Sequence, residues 1–206
     1  MVKVDDLFID LSTHLDDYQQ RFITPYLPAD PNIGPEVYEL DVKAFCLLAH
    51  AAFEQYFEQL CLHMMGCAIS KWIDSKTITD SLTMLLCRYG FRIELSEDDK
   101  GPETTIYDHL RHLAEDVKRR YSNDIHNNHG ISPKYLRAML VPVAIDFTPN
   151  PNTANSLCKL SQERGEYAHR CFARRCLAPE DAANYVTDCL SLAEEVRNKA
   201  TAKGFA

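Results

Sequence analysis

Apolar residues at Val4, Leu7, Phe8, Leu11, Leu15, Tyr18 and Phe22 recur at three- and four-residue steps. That is the period of a helix with one buried face, and it predicts a first amphipathic helix running from residue 4 to about Pro25. The segment Pro28-Ala-Asp-Pro-Asn-Ile-Gly-Pro35 breaks it. From about Tyr38 to Asp74 there is no proline and only Gly66, while Val42, Phe45, Cys46, Leu48, Ala52, Phe53, Tyr56, Phe57, Leu60 and Met64 keep the helical period. This stretch is predicted to be one long central helix. A shorter helix follows at about 78–88, with Gly90 in the C-cap role.

Glu94 to Glu103 reads as a polar loop. Ile106, Leu110, Leu113 and Val117 mark a helix of about 105–121, ending in Lys118-Arg119-Arg120, where cations suit the negative end of the helix dipole. Asn127-Asn128-His129-Gly130 is a turn signal. Ser132 before Pro133 predicts an N-cap with proline at N1 and a helix of about 133–141, closed by Pro142 and Thr148-Pro-Asn-Pro-Asn. The next helix should begin near Thr153. A last one opens at Pro179-Glu180-Asp181 and runs to about Lys199, with Val186, Leu190, Leu192, Ala193 and Val196 mostly inward. No segment alternates like a strand. The chain is therefore expected to be all-α, a single up-and-down helical bundle with long central helices and short elaborating ones, its core at about 38–195 and the helix of 4–25 packed on it.

Composition fits a folded domain: 206 residues, 46% hydrophobic and 25% charged. No apolar run approaches the length of a membrane span, and Met1-Val2-Lys3-Val4-Asp5-Asp6 does not resemble a signal peptide, so a cytoplasmic protein with no membrane partner is expected. Eight cysteines occur without a C-x-x-C pair and read as free thiols, largely in the core. His63-x3-Cys67, His109-x2-His112 and His126-x2-His129 have spacings a metal can use, but none is joined by an obvious second pair, so no metal or other cofactor is expected.

The net charge of −8 is local, because residues 1–60 carry eleven Asp/Glu against Lys3, Arg21 and Lys43, whereas residues 61–206 balance with 19 of each sign. Within 159–175, Lys159, Arg164, Arg170, Arg174 and Arg175 face only Glu163 and Glu166. A local excess of +3 can attract a phosphate backbone at one site. A solvated helix end whose cations complement the dipole has the same composition.

Arg164-Gly-Glu-Tyr-Ala-His169 lies in that patch. Arginine matches phosphate oxygens with a planar fork of donors, and histidine moves protons near neutral pH, so the pair suits metal-free phosphodiester chemistry. Spacing alone is weak, since 12 Arg and 8 His in this length give roughly 0.5 R-x4-H pairs by chance. Five residues at about 100° each place His169 some 140° around a helix from Arg164. Either the helix ends between them or they reach a shared cleft from different angles. Gly165 permits local irregularity or close approach of a phosphate. His50, Glu54 and Glu58 share one helical face at four-residue steps, a pattern typical of a solvated, helix-stabilising set. Glu54, and Glu166 within the motif, are the acidic candidates for orienting Arg164. His129 in its turn and Tyr167 are weaker candidates for touching a nucleic acid.

Three segments carry a resemblance to the HEPN superfamily, and within it to the RiboL-PSP-HEPN branch and its bacterial relatives: Leu48-Ala-His-Ala-Ala-Phe-Glu-Gln-Tyr-Phe-Glu58, Asn127-Asn-His-Gly-Ile131 and Arg164-Gly-Glu-Tyr-Ala-His169. The likeness implies a helical bundle in which Arg164 and His169 occupy the two catalytic positions of a metal-independent endoribonuclease, and the charge excess beside them makes Arg170, Arg174 and Arg175 the candidate RNA-binding residues. It also implies single-stranded RNA as substrate and a homodimer with a composite site. The further implication is a role as effector or toxin of a toxin-antitoxin or phage-defence system, held by a cognate antitoxin or other partner. Many family members have Asn, Asp or His directly after the arginine, where this chain has Gly165, and non-catalytic HEPN modules that dimerise or regulate also occur.

Overall fold

A computed structural model describes residues 3–30, 32–89, 106–169 and 177–205, with the side chains of 106–110 and 167–169 outside the description. Among the described residues there are seven α-helices and no strand: α1 (Val4–Phe22), α2 (Pro35–Ser75), α3 (Asp80–Tyr89), α4 (Ile106–His126), α5 (Pro133–Leu140), α6 (Pro151–His169) and α7 (Pro179–Ala202), with 3-10 turns at Thr24–Tyr26 and Val141–Val143. The fold is all-α, as the apolar periodicity predicts.

The centre is α2, 41 residues and so about 60 Å long. Gly34 precedes it, Pro35 opens it with its φ already helical, and no further proline interrupts it before Lys76, left-handed at φ 57°, ends it. Its buried positions, from Val42, Phe45 and Cys46 through Phe53, Phe57, Leu60 and Met64 to Ala68 and Ile69, occupy more than one face. A helix apolar on several sides must be covered on several sides. All six other α-helices pack on it. On one side α7 also packs on both α1 and α6, while α3, α4, α5 and the 143 turn gather on the other.

Buried hydroxyls tie these layers. Tyr56 donates to the carbonyl of Ala193 at 3.2 Å, Tyr121 to that of Met139 at 2.5 Å and Ser81 to that of Val143 at 2.7 Å. Each satisfies a group whose burial without a partner costs about 1–3 kcal/mol.

α2 starts three residues before the sequence reading and α7 ends three after it, at Pro35 and Ala202, and two other boundaries have a clear local cause. α4 does not stop at the basic triplet but continues to His126, because Tyr121 and Ile125 extend the buried stripe of Val117. Arg119 and Arg120 instead turn back onto Asp116, at 2.5 and 2.7 Å. α6 starts at Pro151, since Asn150 accepts the backbone N–H of Thr153 through its Oδ1 at 2.9 Å and so caps the helix. Ser132 occupies the N-cap position of α5 without making a side-chain cap bond. Gly90 and the polar loop of 94–103 lie outside the described residues. Cys46, Cys61 and Cys189 are core thiols, whereas Cys87 and Cys158 are exposed.

Candidate functional site

The face carrying His50, Glu54 and Glu58 is not the solvated face that its polarity suggests. His50 is 2% exposed, deep in α2 among apolar neighbours. Its Nδ1 lies 3.9 Å from Oε2 of Glu54, one turn on, whose own side chain is 20% exposed. The other ring nitrogen faces the turn before α5. A Cβ on Gly130 would stand 3.9 Å from His50 Nε2 and 3.2 Å from the Tyr135 ring, and Gly130 has φ +131°, a region that residues with a side chain rarely adopt. The backbone conformation is what favours glycine there, with the Tyr135 ring adding a tight contact for any side chain, and the turn lies beside the imidazole. Asn127 and Asn128 fasten that turn to the carbonyls of Asn123 and Tyr135.

From the third side comes Arg164 of α6, close enough for its charge to act on the ring. Burial first, and then the Arg164 cation, hold the His50 pKa down to about 4. The imidazole is therefore uncharged at neutral pH. Lower on the same face, burial and the neighbouring charge of Glu54 raise Glu58, against the opposing pull of His129 and His126. Both of those histidines are exposed at the rim. The three separated segments of the sequence resemblance thus meet at one place.

Arg164 is half-buried. Among the described residues no carboxylate lies within ion-pair distance of its guanidinium. Glu54 is not within ion-pair distance of it, and among the described residues the Glu54 Oε1 is buried without a hydrogen-bond partner. Glu166 turns elsewhere, accepting from Gln162 Nε2 at 3.1 Å along the same helix.

The backbone of α6 is continuous through His169, so the helix does not end between the two motif positions. They stay about 140° and about 7.5 Å apart along it. Gly165 does not interrupt the helix, and a Cβ placed there meets nothing within 4 Å among the described residues. The side chains of Tyr167 and His169, and Arg170, Arg174 and Arg175 altogether, lie outside the described residues.

A family model for RiboL-PSP-HEPN matches residues 8–202. The chain belongs to that family. HEPN membership points to a nuclease or RNA-related role, and HEPN domains commonly dimerise and bind RNA. No curated protein and no solved structure matches this HEPN chain. Among its described residues no helix is long and apolar enough to cross a membrane, and no three His, Cys, Asp or Glu side chains gather as a metal set.

The site residue that sequence reasoning placed wrongly is His50. Its signal was present but faint: flanking Ala49 and Phe53 belong to the buried stripe, so a histidine one position from that stripe in a helix apolar on several faces was already a candidate for burial.

Proposed function

We propose that this chain acts as one HEPN domain and is a metal-independent endoribonuclease, the effector or toxin of a bacterial toxin-antitoxin or phage-defence system restrained by a partner. The observation that carries the reading is Arg164: a half-buried cation, unpaired among the described residues, on the motif helix of a HEPN family member. A guanidinium held this way keeps its donors for a phosphate.

In the reaction, the ribose 2′-hydroxyl attacks the adjacent phosphorus and the 5′-oxygen departs, leaving a 2′,3′-cyclic phosphate and a 5′-hydroxyl. Arg164 binds the scissile phosphate and stabilises charge growing on its oxygens, and His169 gives or takes a proton. One proton must leave the 2′-hydroxyl and another must reach the 5′-oxygen. Two copies of the chain divide those roles between two imidazoles, and the 140° between the motif positions suits a cleft completed by a second molecule. An apolar face supports the homodimer: Val37 (57% exposed), Leu40 (79%) and Leu48 (37%) lie at helical spacing on α2.

The deciding experiment incubates the protein with single-stranded RNA, and with DNA of the same sequence, in excess EDTA. RNA should be cut to 2′,3′-cyclic phosphate ends and DNA should survive. Arg164→Ala or His169→Ala should each slow cleavage at least about a hundredfold. Folded mutants that cut at the wild-type rate, or full inhibition by EDTA reversed by zinc or magnesium, would overturn the reading and favour a non-catalytic HEPN module.

A further inference from the structure

We infer that His63 and Cys67, one turn apart on α2, form a chelating pair for a borderline-soft divalent metal ion of the zinc type, separate from the site of Arg164. The nuclease reading can fail without touching this one. His63-x3-Cys67 is a spacing of metal-ligand type in the sequence, and the fold brings its two side chains into contact.

The geometry comes from the helix. Side chains four residues apart are neighbours on a helical surface, and α2 runs unbroken through both positions. The Cys67 sulfur lies 3.5 Å from His63 Nε2 and 4.0 Å from Nδ1. An ion bonded to sulfur at about 2.3 Å and to nitrogen at about 2.0–2.1 Å, with a tetrahedral angle between them, sets the two donors about 3.5–3.6 Å apart. The helix therefore holds the pair at the bite of a tetrahedral ion. Similar distances to both nitrogens place the sulfur beside the ring rather than on a lone pair, so the imidazole must turn about its Cβ–Cγ bond to aim a nitrogen at the ion. That torsion is a soft one.

Access and protonation fit as well. Both side chains are partly exposed, whereas Cys46, Cys61 and Cys189 are sealed in the core. Burial lowers His63, and burial raises the Cys67 thiol against the pull of the Lys71 cation. The ring is then uncharged at neutral pH, the form that ligates a metal. As the ion binds, the ring lone pair forms the bond to nitrogen, and Cys67 releases its S–H proton to solvent as the bond to sulfur forms. No electron changes hands, and water fills the remaining positions. Lys71, one turn beyond Cys67, is held elsewhere: its ammonium donates to the Gly204 carbonyl at 3.0 Å and lies 5.0 Å from the centre of the Phe205 ring.

His63 is 13 residues from His50, about 20 Å of helix. A metal on this pair clamps one turn of α2 and stabilises the fold. It has no part in cleaving RNA.

The test titrates cobalt(II) into the reduced full-length protein, because a thiolate ligand gives cobalt a charge-transfer band in the near ultraviolet, and then displaces it with zinc. Wild-type protein should show the band, and zinc should raise its melting midpoint, since the ion binds the folded chain. Cys67→Ser should remove the band and the rise in melting. His63→Ala should weaken binding of both metals at least about tenfold, the smallest loss seen even when only a group supporting a ligand is removed. Replacing the exposed thiols of Cys87 and Cys158 together by Ser should leave the band and the affinity in place. His63→Ala and Cys67→Ser should cut RNA at the wild-type rate in EDTA, and wild-type protein that cuts none would sink the nuclease reading alone. A wild-type protein without the band, an unchanged band in Cys67→Ser, or undiminished affinity in His63→Ala would overturn the inference. If Cys67→Ser does not fold, Cys67→Ala takes its place.

Discussion

Adding one methyl group at Gly165 should strengthen the protein and weaken the enzyme. Gly165 sits inside a continuous helix, and a Cβ there meets nothing within 4 Å. Gly165→Ala therefore brings no clash and removes the backbone freedom of glycine in the unfolded chain, which is worth about 0.8–1 kcal/mol in a helix interior. For a chain of this length that raises the midpoint of thermal unfolding by about 2–4 °C, read at one fixed protein concentration. Gly66 of α2 supplies the control. A Cβ there also meets nothing within 4 Å, and it lies 16 residues, or about 24 Å of helix, from His50. Gly66→Ala should stabilise equally and leave RNA cleavage alone. Gly165→Ala should slow cleavage, because the open space beside Arg164 is where a phosphate has room to approach the backbone. A fall in stability for Gly165→Ala would refute the account of α6 as an unobstructed helix. A gain in stability with cleavage untouched would refute the role assigned to the open space.

Three further outcomes are expected. His50, held down to about 4 in the folded chain against 6.5 ordinarily, leaves the unfolded chain to take up the proton first as the pH falls. Stability is therefore full above pH 6.5 and declines between 6.5 and 4, by on the order of 3 kcal/mol, and urea midpoints should fall less steeply over that window in His50→Leu; equal slopes would contradict this. Replacing Arg170, Arg174 and Arg175 together by Ala should reduce the slope of log affinity for single-stranded RNA against log salt by about 2, and an unchanged slope would make the cluster a solvated helix end. Leu40→Asp, at a position 79% exposed, should leave the protomer folded but lower activity per molecule at concentrations where wild-type activity is constant, with sedimentation showing dissociation; an undisturbed dimer would place the interface elsewhere.

The helices were legible because their period is: Val42 to Met64 dictates α2, and a 41-residue span without proline leaves little else for it to be. The end of α4 was not, because Lys118-Arg119-Arg120 is a legitimate stop signal locally, and only packing of Tyr121 and Ile125 overrides it. Arg164 and His169 are visible as a spacing; the fold adds surroundings for Arg164, whereas the side chain of His169 lies outside the described residues. His50, Gly130 and Arg164 are 80 and 34 residues apart in sequence, yet Gly130 lies beside the His50 ring and the charge of Arg164 acts on it. Glu166 failed as a partner of Arg164 for a simpler reason: Gln162, one turn back on the same helix, reaches it at once.

The single helix on which all others lie has a consequence for how the protein opens. Amides around His50 and Glu54 sit well inside α2, the helix on which all six others pack, beside the buried Ala49, Phe53, Tyr56 and Phe57. Their exchange with solvent deuterium should be among the slowest in the chain and should report the free energy of global unfolding. The α2 side of the candidate site is thus anchored in the last part of the molecule to yield.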